Sequence, residues 1–205
     1  MKKLTHNFFN RPTKLVAREL LGKILVHKSK KGIFTGMIVE TEAYIGPHDL
    51  ASHASRGKTI RNEIMFAKAG FWYVYLIYGC HHCLNIVTEK EGYPAAVLIR
   101  ALEPQKGINL MKKNRSNQKL ENLTSGPGKL CQAFEIDKKF NYSSATNKDS
   151  LLFVADEGVL IPSKDIKKAP RVGVDYAGIW KEEKLRFYIR DNNFVSKKIV
   201  SKILP

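Results

Sequence analysis

The run Val39-Glu40-Thr41-Glu42-Ala43-Tyr44 places two carboxylates in a β-branched, aromatic stretch with strand character. Alternate residues of a strand share a face, so Glu40, Glu42 and Tyr44 lie on one side and Val39, Thr41 and Ala43 on the other. A carboxylate beside an aromatic ring at a strand end can act as a general base. The bland alternative is a pair of solvated carboxylates on the outer face of a half-buried strand. A second chemical candidate is Cys80-His81-His82-Cys83, a C-x-x-C that suggests a thiol redox pair or half of a zinc site. The redox motif should open a helix after a strand, but here it sits between two strand-like runs. A zinc site would need a second ligand cluster, and Cys131 stands alone. Free thiols are therefore expected, with no metal and no cofactor. Ser125-Gly126-Pro127-Gly128-Lys129 is the third candidate, a glycine-rich helix start whose free N–H groups could hold a phosphate. An ordinary serine cap followed by proline explains it equally well.

The elements that must carry these residues follow from periodicity and breakers. Thr13 to Leu21 predicts a helix with Leu15, Val16, Leu20 and Leu21 as its apolar stripe, stopped at Gly22. Lys23 to His27 and Ile33 to Tyr44 form a hairpin turned at Lys30-Lys31-Gly32 and broken at Gly46-Pro47. Asp49 is expected to cap a short helical turn that presents His53. Residues 54 to 63 carry Arg56, Lys58 and Arg61 with few apolar residues, a loop suited to phosphates. Phe71 to Tyr78 is an aromatic strand returning through Cys83 to Thr88. Tyr73 and Tyr75 share one face of it, and Tyr78 lies near the hairpin tip. Ala95 to Leu102 is a strand with Leu98, Arg100 and Leu102 on one side, followed by a helix from Pro104 to Lys113. Arg171 to Val174 and Leu185 to Ile189 are short strands, and the tail from Lys197 is basic and mildly amphipathic. The expected fold is one α+β domain over residues 1–205, with a mostly antiparallel curved sheet, surrounding helices and a protruding β-hairpin.

Composition narrows the partner. The 205 residues hold 35 Lys+Arg against 19 Asp+Glu, a net charge of +16. Such an excess favours phosphate-bearing polyanions, with nucleic acid first among them. The chain contains no apolar run long enough for a membrane helix and begins without a signal-peptide pattern, so a cytoplasmic protein with no membrane partner is expected. Aromatic faces stack on nucleobases, a hairpin tip can wedge into a duplex, and a carboxylate beside a base-sized pocket suits chemistry on an extruded base.

Several long runs occur together and in order: Val39 to Pro47, Tyr73 to Gly79, Leu98 to Pro104, Ser125 to Ala133, and Arg171 to Val174. In these the chain closely resembles the alkyladenine (3-methyladenine) DNA glycosylase family of the mammalian type. The resemblance implies monofunctional hydrolysis of the N-glycosidic bond of damaged purines in double-stranded DNA: 3-methyladenine, 7-methylguanine, hypoxanthine and ethenoadenine. It implies no cofactor. By position, Glu42 matches the general base, Arg100 a residue that helps hold the attacking water, and the Val172 carbonyl a third contact to it. Tyr44, His53 and Tyr75 match the walls of the base pocket. Asn85 matches the residue that disfavours guanine, and Tyr78 the side chain that fills the gap in the duplex. Lys129, with Ser125 and Gly126, looks like a phosphate contact. The Cys80-His81-His82 tip is more polar than the family pattern. A monomer is expected, and a nucleoid association through DNA. The competing reading is a non-catalytic nucleic-acid binder on the same fold, which would not require Glu42.

Overall fold

A computed structural model describes residues 1–197. Nine antiparallel strands make one curled sheet: β1 (Lys2–Lys3), β2 (Ile24–Ser29), β3 (Gly32–Tyr44), β4 (Trp72–Ile77), β5 (His81–Val87), β6 (Ala96–Lys106), β7 (Leu152–Asp156), β8 (Ile166–Ala169) and β9 (Arg186–Ile189). Their order is β1-β7-β2-β3-β6-β5-β4, and β9 joins β3 with β8 outside it. The helices α1 (His6–Phe9), α2 (Thr13–Glu19), α3 (Ile108–Asn114) and α4 (Pro127–Ala133) are short. Their apolar residues, among them Phe9, Val16, Leu20, Met111 and Leu130, meet Phe34, Ile38, Trp72, Leu84, Ile86 and Val97 from the sheet in the main core. Trp72 is wholly buried there, with its Nε1–H donated to the Leu152 carbonyl at 3.0 Å. Burial of large side chains of this kind contributes roughly 1.5–3 kcal/mol each.

The central strand β3 changes both its partner and its face midway. Gly32 to Met37 pair with β2, and Glu40 to Glu42 pair with β9. Against β6, Ile38 faces Leu102, Glu40 faces Ala101 and Thr41 faces Ile99, so Val39 and Arg100 are each left over in the ladder. One extra residue reverses the alternation of a strand. Phe34 and Ile38 therefore point into the main core before the shift, and Ala43 points there after it. The even-numbered Glu40 and Glu42 are turned to the opposite face. On β6 the same shift sends Val97 and Ile99 to the core, then Leu102, while Leu98 and Arg100 face the cavity. The expectation that Leu98, Arg100 and Leu102 share a side is corrected by this irregularity.

Other expectations need correction too. Leu15 does not join the α2 stripe and is 39% exposed, its place being taken by Ala17. Residues 104 to 106 extend β6, with Lys106 opposite Thr35, and the helix starts only at Ile108 after Gly107 turns the chain at φ +80°. Arg171 to Val174 is a bend without ladder pairing, and the strand lies just before it at Ile166–Ala169. Asp49 does cap the turn that leads to His53, its Oδ1 accepting the Ala51 N–H at 3.0 Å and its carbonyl the Ser52 N–H at 2.8 Å, although no helix follows. Gly126, at φ +151°, takes the N-cap position of α4 in place of Ser125 and makes no side-chain cap bond. The basic tail beyond Lys197 lies outside the described residues.

Candidate active site

A cavity of about 360 Å³ is walled by Tyr44, His53, Tyr73, Tyr75 and Asn85, and Glu42 lies directly behind its lining, in contact with Tyr44, Arg100 and Val172, which face the cavity. The Glu42 side chain is wholly inaccessible from the surface. Oε1 accepts the Val172 N–H at 2.8 Å and lies 3.5 Å from Arg100 Nη1, while Oε2 accepts the Tyr44 hydroxyl at 2.9 Å. Burial raises the Glu42 pKa above the usual carboxylate range, and Arg100, the Val172 amide and Tyr44 hold it down in that order. Arg100 also lies 3.5 Å from Glu40 and donates Nε–H to the Ser196 hydroxyl at 3.0 Å. Glu40, equally buried, is held by Arg186 at 2.7 Å and by the Ser196 N–H at 2.7 Å. The solvated reading of the two glutamates is excluded by this burial. Glu40 is engaged by Arg186 and Ser196, whereas Glu42 is engaged by Tyr44 and Val172, which line the cavity.

The aromatic walls interlock. His53 Nδ1 lies 2.7 Å from the Tyr73 hydroxyl, and its ring meets Tyr75 edge-on with centroids 4.5 Å apart. Burial against these rings, with Arg61 nearby, lowers the His53 pKa to about 4. The imidazole is thus neutral at physiological pH. Burial also pushes the Tyr44 and Tyr75 phenols well above their ordinary value, so both walls stay uncharged. Asn85 closes the far wall and donates Nδ2–H to the Tyr73 carbonyl at 3.2 Å.

The polar surroundings divide by location. Arg56, Lys58 and Arg61 are exposed on the loop beside the cavity, which Asn62 pins through the His53 and Gly57 carbonyls. The Arg61 guanidinium stands 5.5 Å from the Tyr75 ring centre. Lys129 reaches back to the Ser125 hydroxyl at 3.4 Å, and the neighbouring Pro127 and Gly128 line the cavity. A side chain at Gly128 would meet His81 at 3.0 Å, so its lack of one lets α4 pack against the hairpin. Tyr78, at the tip between β4 and β5, is 85% exposed. Its φ of +52° is a left-handed conformation that bulky side chains seldom adopt. Cys80 is exposed near this tip, whereas Cys83 is buried on β5 against Tyr75, where burial pushes its thiol up to about 11. That thiol is a poor nucleophile near neutral pH.

The structure thus brings Glu42, Arg100, Val172, Tyr44, His53, Tyr75 and Asn85 together, places the exposed Tyr78 on the rim of the cavity, and sets Arg56, Lys58, Arg61 and Ser125-Gly126-Lys129 outside its lining. Sequence reasoning missed Tyr73 as a wall and Tyr176, which lines the cavity and donates its hydroxyl to the Ala51 carbonyl at 3.3 Å. It also missed the buried Asp49–Arg171 pair and Arg186. The alternation that put Tyr73 beside Tyr75 could have found the first; no local signal marks the others, which come from distant segments.

A buried carboxylate bonded to the lining of an aromatic cavity, with exposed cations and a solvent-exposed aromatic tip nearby, is an arrangement suited to chemistry on a nucleic acid. The model of the methylpurine-DNA glycosylase family matches residues 7–193, and the chain belongs to that family. It is accordingly a DNA glycosylase acting on DNA. A Prosthecochloris aestuarii protein provisionally named a 3-methyladenine DNA glycosylase is 52% identical over 200 residues, covering 96% of this chain and 92% of the relative. Similar proteins with the same provisional name come from Legionella pneumophila, 48% identical over 96% of this chain and all of the relative, and from Methanocella arvoryzae, 48% identical over 97% and 98%. No helix among the described residues is long and apolar enough to cross a membrane.

Proposed function

We propose that this chain, working as a monomer and a single catalytic domain, excises alkylated or deaminated purines from duplex DNA: 3-methyladenine, 7-methylguanine, hypoxanthine and ethenoadenine. The observation that carries the reading is Glu42 itself, a buried carboxylate held by Tyr44, Val172 and Arg100, three residues that line an aromatic cavity. The damaged nucleotide swings out of the duplex and its base enters between Tyr44, His53 and Tyr75. Tyr78 fills the gap it leaves, and Arg56, Lys58, Arg61 and Lys129 with the Ser125-Gly126 turn meet phosphates. Glu42 takes a proton from water as the water oxygen bonds to C1′. The C1′–N bond breaks and its electron pair leaves with the base. Water as the nucleophile leaves an abasic site in an uncut strand. A methylated purine carries positive charge, so it leaves readily and is drawn to aromatic faces by roughly 0.5–2 kcal/mol per ring. A neutral His53 helps here, because an imidazolium would repel that charge. Glu42 opposes the positive charge that builds on the sugar, as carboxylates do in glycoside hydrolysis. Asn85 presses on position 2 of the purine and disfavours the amino group of guanine.

The test is single-turnover cleavage of duplexes bearing 7-methylguanine or hypoxanthine. The wild type is expected to form abasic sites without strand scission. Glu42→Gln should lose about 10²–10⁴-fold in rate, the usual contribution of a general base, while binding the same duplexes within a few-fold. Undiminished cleavage by the variant would overturn the assignment of Glu42.

A further inference from the structure

Asp49 and Arg171 form an ion pair whose side chains are both completely inaccessible, yet neither lines the cavity. Two charges are costly to bury unless many bonds compensate them. Here the bonds are numerous and they join three segments. Arg171 makes a two-point contact with Asp49, at 2.5 and 2.7 Å, and donates a further N–H to the Ala43 carbonyl at 2.9 Å. Its guanidinium lies 4.8 Å from the centre of the Tyr44 ring. Asp49 in turn accepts the N–H groups of Ile45 and Ala51 at 3.1 and 3.0 Å. The pair therefore clamps the end of β3, the turn that follows it, and the bend containing Val172. From those same segments come both hydrogen bonds to Glu42, the Val172 N–H and the Tyr44 hydroxyl.

We propose that Asp49 and Arg171 are positioning residues that hold these two donors on the Glu42 carboxylate. This inference rests on the reading of Glu42 as the base. Val172 follows Arg171 directly, so its amide can stay 2.8 Å from Oε1 only while the guanidinium is anchored. An arginine fork fixes direction where a lysine supplies only a point charge. Loss of the fork should let the bend drift, and the carboxylate then loses a donor that favours its charged form.

The sign of the consequence is set by what surrounds Glu42. Arg100 faces it from β6, Glu40 and Tyr44 from its own strand, Tyr75 from β4, Cys83 from β5, and Arg171 and Tyr176 from the bend. Burial pushes the Tyr44 and Tyr75 phenols and the Cys83 thiol upward, away from the acid range. Glu40 bonds to Arg186 and Ser196, which the clamp does not touch. A weakened clamp therefore makes Glu42 easier to protonate, and the acid limb of the cleavage profile moves to higher pH.

The experiment measures single-turnover cleavage of a hypoxanthine duplex from pH 5 to 9 for the wild type, Arg171→Lys and the milder Asp49→Asn. Enzyme is held in excess, so that partial misfolding of a variant cannot move the midpoint. Arg171→Lys, which keeps the charge but loses the fork, is expected to shift the acid limb up by about one pH unit, equivalent to about tenfold slower cleavage on that limb than the plateau alone predicts; Asp49→Asn, which leaves the Arg171 charge unbalanced near Glu42, should shift it less. Their binding to a duplex carrying a tetrahydrofuran abasic analogue should stay within about twofold. A rate lowered equally at every pH, with the limb unmoved, would make the pair merely structural and overturn the inference. Glu42→Gln, run alongside, separates the two failures. Full activity in that variant rejects the base, whereas an inactive Glu42→Gln with an unmoved limb in Arg171→Lys rejects only the clamp.

Discussion

Glu40 and Glu42 show how two identical side chains, two positions apart, take different duties. Arg186 and the Ser196 amide lock Glu40 in place at hydrogen-bond distance. Glu42 has its nearest cation, Arg100, at 3.5 Å and lies wholly buried behind the cavity lining, so the cost of burial prevails and its pKa rises. A carboxyl group that holds its proton more tightly when folded than when unfolded imposes a penalty on stability. The penalty is absent below the unfolded pKa, grows as pH rises through the folded value, and is fully present above it. Glu42→Gln removes the charge but can retain both contacts, its oxygen accepting the Val172 N–H and its amide donating to the Tyr44 oxygen. Its melting temperature should therefore exceed that of the wild type at pH 8, with the gap closing as pH falls toward 4. Thermal denaturation across that range checks it, and a gap that widens in acid would mean that Arg100 more than offsets the burial of the charge. The residue proposed for catalysis would then be one that the fold carries at some cost.

At the scale of elements, two features deliver the site: the paired irregularity of β3 and β6, and the β4–β5 hairpin. Hydrophobic alternation predicts β3 from Ile33 to Tyr44 and places Glu40, Glu42 and Tyr44 on one face, as found. It cannot show that Phe34 and Ile38 share the core with Ala43, because a residue skipped in a ladder leaves no mark in a sequence of strand formers. The same blindness put Leu102 beside Arg100. Arg171 to Val174 looks like a strand from its two valines, but the bend there is dictated by the bonds of Arg171 to Asp49, 122 residues away. The hairpin was more legible, since Tyr78-Gly79 punctuates two aromatic and apolar runs. What the sequence could not show is that Tyr78 itself takes a left-handed φ of +52°. That conformation costs a non-glycine residue roughly 1–2 kcal/mol, and glycine's own entropic cost of roughly 0.5–1 kcal/mol returns part of it. Tyr78→Gly should thus leave the folding free energy unchanged or raise it by up to about 1 kcal/mol, as urea denaturation would measure. Excision should fall nonetheless, more for a well-paired lesion than for a mispaired one, because the unpaired base needs less help to leave the stack. A large loss of stability would instead show that the tip packs on the protein, contrary to its exposure.

For the molecule as a whole, the sequence was informative because the site residues lie in a few long runs whose order matches a family, while the composition supplied the independent clue of charge. What neither could give is where 35 cations fall among the faces. Several of them are spent within the protein: Arg171 on Asp49, Arg186 on Glu40, Lys23 on Asp156 and Lys31 on Glu135. Arg56 and Lys58 are different. Both are exposed on the loop that follows His53 of the cavity wall, and under the proposed function they would meet phosphates flanking the extruded nucleotide. Each cation that neutralises a phosphate releases condensed counterions and adds roughly 0.9 to the slope of log affinity against log salt on duplex DNA. The wild type should therefore bind a hypoxanthine duplex with a slope of several units. Arg56→Gln with Lys58→Gln should lower that slope by roughly two while leaving the single-turnover rate of the bound complex near the wild-type value. Binding titrations at three or more salt concentrations decide it. A double variant with the parent slope would move the phosphate track off this loop, toward the Ser125-Gly126-Lys129 turn, whose neighbours Pro127 and Gly128 line the cavity.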